Sequence, residues 1–68
     1  MNYEEFLRSF YANYLPNQTK QIRQGQALFN YLAQENPICA EKLRGREEDC
    51  FYSDFRIGKA LIFIQENW

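Results

Sequence analysis

The sequence predicts an all-α fold, a small single-domain bundle of three to four helices spanning residues 1–68. Three observations predict it. Apolar residues recur at the 3.6-residue helical spacing from Tyr3 to Trp68. Residues that start and stop helices fall between those stripes rather than inside them. A chain of 68 residues has room for one core and no second domain.

Tyr3, Phe6, Leu7, Phe10, Tyr11 and Tyr14 line one face of a first helix, about Tyr3 to Tyr14. Asn2 is placed to cap its first free amides while Glu5 reaches back, and Pro16 ends the run because a residue before proline resists the helical region. After the connector Pro16-Asn17-Gln18-Thr19, with Asn17 or Thr19 as cap, a second helix is expected to reach about Gln34. Its stripe of Ile22, Leu28, Phe29, Tyr31 and Leu32 is looser. Gly25, which costs ~1 kcal/mol relative to alanine in a helix interior, suggests close approach of another helix.

Asn36-Pro37 marks a third start, and Arg44-Gly45 a stop, so the third helix is short, about Pro37 to Arg44. Arg46-Glu47-Glu48-Asp49 reads as a solvated loop, after which Cys50-Phe51-Tyr52 turns back into the core. A last helix, capped by Ser53 or Asp54, carries Ile57, Ala60, Leu61, Ile64 and Trp68 on one stripe that ends in the core. Phe55, Ile62 and Phe63 fall partly off that stripe, which points either to a helix wrapped on more than one side or to a second contact surface. Helices one, two and four are expected to enclose the core.

Eight basic and nine acidic residues leave a net charge of −1, so nothing in the total argues for nucleic acid or an anionic membrane surface, and neither is expected as a partner. The charge is unevenly placed. Residues 6 to 34 hold Arg8, Lys20 and Arg23 with no acid, whereas residues 35 to 54 hold six acids against Lys42, Arg44 and Arg46. The first residues lack the basic and apolar regions of a signal peptide, and no run approaches the ~18 apolar residues of a membrane span, so a cytoplasmic location is expected. Cys39 and Cys50 are then expected as thiols.

The run from Arg23-Gln24-Gly25-Gln26-Ala27-Leu28-Phe29-Asn30, through Pro37 and Arg44-Gly45, to Asp49-Cys50-Phe51-Tyr52 resembles small phage, prophage and bacterial open reading frames. The likeness covers about residues 3 to 68. It implies a bacterial or phage-encoded protein, in a bacterial or host cytoplasm, with the second to fourth helices forming one unit. That group carries no assigned activity, so the resemblance transfers no catalytic residue and no cofactor.

Histidine is absent, so the cysteines have no imidazole to activate them and a zinc site would need carboxylates. Glu47, Glu48, Asp49 and Asp54 do not match a calcium loop and read as a solvated charge run. No catalytic residue, metal ligand or cofactor is assigned on these grounds, and the chain is not expected to be an enzyme. Arg23, Gln26 and Asn30 form a polar cluster whose structural reading is hydrogen bonding to the 49–54 loop, with Arg23 paired to one of its carboxylates. Twelve aromatic residues exceed what one small core encloses, and rings left half-wet suit protein interfaces.

The candidate partner-binding residues are therefore Tyr11, Tyr14, Arg23, Gln26, Asn30, Tyr31 and Tyr52, and the expected function is a non-enzymatic module that binds another protein. One alternative is a nucleic-acid-associated regulator using the Lys20 and Arg23 side, where Gln18, Gln21 and Gln24 also lie. The other is a self-associating protein, such as a homodimer.

Overall fold

A computed structural model describes residues 1–19 and 21–68, and Lys20 lies outside the described residues. Among the described residues the chain is all helix and turn, with α1 over Tyr3–Ser9, α2 over Gln24–Glu35, α3 over Pro37–Leu43 and α4 over Ile57–Asn67.

The start of α1 follows from its local sequence. Asn2 Oδ1 accepts from the Glu5 amide at 2.8 Å while the Asn2 amide donates to Glu5 Oε1 at 3.1 Å, which satisfies two otherwise free groups reciprocally. Its end differs from the expected stop at Tyr14. The helix widens to π geometry over Phe10–Tyr14, with the Leu15 amide reaching back five residues to the Phe10 carbonyl, and then tightens to a 3-10 turn over Leu15–Asn17. Pro16 sits inside that turn, where its missing amide is tolerated because hydrogen bonding has already changed register. Phe6 and Phe10 are fully buried, but Tyr11, assigned by spacing to the same stripe, turns outward.

The second helix begins at Gln24, about five residues later than its sequence suggests, and neither Asn17 nor Thr19 caps it. Its cap comes from a distant segment: the Gly25 amide donates to Asp54 Oδ1 at 2.8 Å. Gly25 thus lies in the first turn, and what approaches it is not a helix but the Cys50 carbonyl, against which a Cβ would clash. Ala27, Leu28, Phe29, Tyr31 and Leu32 are all buried, so α2 is covered on several sides, which explains its loose stripe.

Asn36 caps α3 as expected, with Oδ1 accepting from the Cys39 amide at 3.1 Å, and Gly45 supplies the positive φ of 76° just beyond its end. Short as it is, α3 contributes Cys39, Ala40 and Leu43 to the core, so the enclosure needs all four helices rather than three. α4 packs back along α3 in the opposite direction. Asn36 Nδ2 donates to the Trp68 carbonyl at 3.3 Å at one end, and Lys59 pairs with Glu47 at 3.7 Å at the other.

Ala60 and Ile64 are the buried positions of α4, while Ile57, Leu61 and Trp68 are half-buried. Trp68 therefore covers the core edge instead of ending inside it. Its ring lies 4.9 Å from that of Phe6, and its Nε1 donates to the Met1 carbonyl at 3.0 Å. Tyr14, Tyr31 and Phe6 continue the stack, at 4.5 Å and 5.1 Å between successive centroids. Among the described residues no helix is long and apolar enough to cross a membrane.

Candidate functional site

The segment from Asp49 to Arg56 lies across the start of α2 and is held from both sides. Asp49 shapes it first, accepting from the Phe51 amide through Oδ1 and from the Gly45 amide through Oδ2, each at 2.9 Å. Arg23 Nη2 donates to the Phe51 carbonyl at 3.2 Å, and Asp54 receives the Gly25 amide. Between those two ties, the Cys50 thiol is buried and donates to the Gly25 carbonyl at 3.3 Å. Phe51 sets its edge against Phe29 at 5.7 Å, perpendicular to it.

Such anchoring leaves two rings outside. Tyr52 is 82% exposed and Phe55 100% exposed, although the backbone on either side of them is tied down. Tyr52 was expected to turn into the core with Cys50. The thiol and Phe51 occupy that space, and the short turn Cys50–Ser53, closed by the Ser53 amide on the Cys50 carbonyl at 3.2 Å, directs Tyr52 away.

The other residues nominated from the sequence fare differently. Tyr31 is only 5% exposed and donates its hydroxyl to Ser9 Oγ at 2.8 Å, so it is a core ring without the exposure a partner surface needs. Tyr14 is half-buried on top of it. Tyr11, 42% exposed, accepts from Gln24 Nε2 at 3.1 Å, so Tyr11 and the Asp49–Arg56 segment both meet the start of α2, through the adjacent residues Gln24 and Arg23.

Gln26 and Asn30 are half-buried, and neither side chain bonds the 49–54 loop among the described residues. Arg23 does reach that loop, but it takes the Phe51 carbonyl rather than a carboxylate, while Asp54 accepts from the helix start. Lys20, the other half of the basic side, lies outside the described residues.

Sequence reasoning missed the role of Asp54 and two cation-on-ring contacts, Arg44 over Phe29 at 5.1 Å and Arg46 over Phe63 at 5.0 Å. The Arg-Gly stop and the acidic run signalled where those segments end, but nothing local reveals which ring an arginine will cover. The acids of the run also have separate tasks: Glu48 pairs with Arg46 at 3.3 Å and Glu47 with Lys59. A backbone hydrogen bond first, and Arg46 second, hold the Glu48 carboxyl below its ordinary range.

Neither thiol is activated. Burial pushes the Cys50 thiol up to about 11 and also raises Cys39, so thiolate is scarce at neutral pH. Among the described residues no group of three or more His, Cys, Asp or Glu side chains is placed to hold a metal ion. No family model, curated protein or solved structure matches the chain. What the arrangement offers is apolar ring surface on a fixed backbone.

Proposed function

We propose that this domain is a non-enzymatic protein-binding module, an accessory protein in role, and that Tyr52 and Phe55 are its principal contacts. The observation that carries the reading is that two fully presented aromatic rings stand on a segment pinned at Asp49, Cys50, Phe51 and Asp54. Exposed rings cost solubility and do nothing for the core, whereas aromatic anchors dominate binding energy at protein interfaces. A pinned backbone also means that little loop entropy is lost on association. Tyr11, bonded to Gln24 at the α2 start, is a further exposed ring.

The test is capture of a partner from bacterial lysate, followed by titration of the purified pair. Wild-type protein is expected to bind saturably, and a Tyr52→Ala, Phe55→Ala double variant to bind at least ~10-fold more weakly, the loss typical of removing a hot spot. Equal binding by the double variant, with its helix content unchanged, would sink the reading.

A further inference from the structure

α4, which follows directly on the Asp54–Arg56 turn, presents a second, differently built surface. Lys59, Ile62, Phe63 and Glu66 recur at i, i+3, i+4 and i+7, and with Glu47 and Glu48 they line an open cleft of about 290 Å³. Ile62 is 60% exposed at its centre, and Phe63 is half-buried beside it with Arg46 over the ring. The apolar pair is thus flanked by a cation one turn before and an anion one turn after.

That order is self-complementary. A two-fold axis perpendicular to α4, midway between Ile62 and Phe63, lays a second α4 antiparallel on the first. It sets Ile62 of each copy against Phe63 of the other and Lys59 of each against Glu66 of the other. All four positions are matched by a single axis, as an isologous interface demands. A parallel arrangement has no such match, because it brings Lys59 against Lys59 and Glu66 against Glu66.

The existing partner of Lys59 does not compete strongly. Glu47 lies 3.7 Å away, both side chains are largely exposed, and an ion pair of that kind holds its members loosely. Glu66 has no ion-pair partner among the described residues. We infer that the outer face of α4 is a homodimer interface, with a second copy of this chain docked antiparallel through Ile62, Phe63, Lys59 and Glu66. The interface uses neither Tyr52 nor Phe55, so it stands independently of the proposed partner contact.

One 11-residue helix per copy gives a contact below the ~1,200 Å² of stable complexes, which places the dimer in the weak, reversible class. Sedimentation equilibrium at low salt, from about 10 µM to about 1 mM, is expected to show the average mass rising from monomer toward dimer. Ile62→Asp is expected to remain monomeric throughout. Lys59→Glu alone is expected to weaken dimerisation several-fold, and the exchange variant Lys59→Glu, Glu66→Lys to restore it, because the swapped charges face each other across the same axis.

Circular dichroism of each variant checks that the helices are intact, which the exposure of all three side chains favours. A wild type that stays monomeric at the highest concentration overturns the inference. So does a dimer that survives Ile62→Asp, or one that the charge exchange fails to restore.

Discussion

Gly25 is the residue on which the loop and α2 meet. A Cβ there would press into the Cys50 carbonyl oxygen and come within 2.9 Å of Asp54 Oδ1, the atom that caps its own amide. Gly25→Ala is therefore expected to destabilise the domain by about 1–3 kcal/mol, the usual cost of forcing extra volume into a packed site, measured by urea unfolding. Alanine's better helix propensity acts in the other direction but is worth only ~1 kcal/mol, so a net gain in stability would contradict the packing seen here. Its neighbour Cys50 makes the fold sensitive to alkali. Burial raises this thiol from 9.0 to about 11, so between those values the unfolded chain releases a proton that the folded chain keeps. Stability is then complete below the unfolded value and falls as pH rises from about 9 toward about 11, by on the order of 2–3 kcal/mol at full ionisation. Unfolding free energies at about pH 8 and about pH 10 should fall more steeply for wild type than for Cys50→Ala, and parallel slopes would count against the assignment.

At the scale of elements, two helix starts contrast in how they are capped. The α3 start is local: Asn36 accepts from Cys39 three residues on, and its amide nitrogen also ties the Trp68 carbonyl. Asn36→Ala should cost about 1–2 kcal/mol, the range for a lost cap, read as a drop in the urea midpoint. The α2 start is capped across 29 residues by Asp54, so its loss should disturb two elements at once. Asp54→Ala is expected to cost a similar ~0.5–2 kcal/mol and to speed amide hydrogen exchange both in the first turn of α2 and in the 3-10 turn Asp54–Arg56. Faster exchange confined to residues 54–56 would mean that α2 does not depend on this carboxylate. The widened turn at Phe10–Tyr14 belongs to this scale too, because it shifts the register of the backbone that follows it into the turn at Leu15–Asn17.

For the whole molecule, stability and surface separate cleanly. Phe6 is fully buried between Tyr31 and Trp68, and truncating such a ring costs about 3–5 kcal/mol, comparable to the entire margin of a domain this small. Phe6→Ala is thus expected to be largely unfolded at room temperature by circular dichroism. Removing both Tyr52 and Phe55 should instead change stability by no more than ~0.5 kcal/mol each, and a larger loss would show that these rings support the fold. The sequence by itself determined the helix class, the caps at Asn2 and Asn36, the stop at Gly45 and the buried pair Ala60 and Ile64. Each of these is set by contacts within a few residues, or by a periodicity that any core must respect. Only the tertiary structure decided that Asp54 begins a helix other than its own, that Tyr31 is core while Tyr52 is surface, and that α3 is a full member of the core. Those outcomes depend on which distant groups fill a shared space: the Cys50 carbonyl at Gly25, the Phe51 ring beside Phe29, the Arg23 guanidinium at a carbonyl. Spacing along a chain carries no record of such competition.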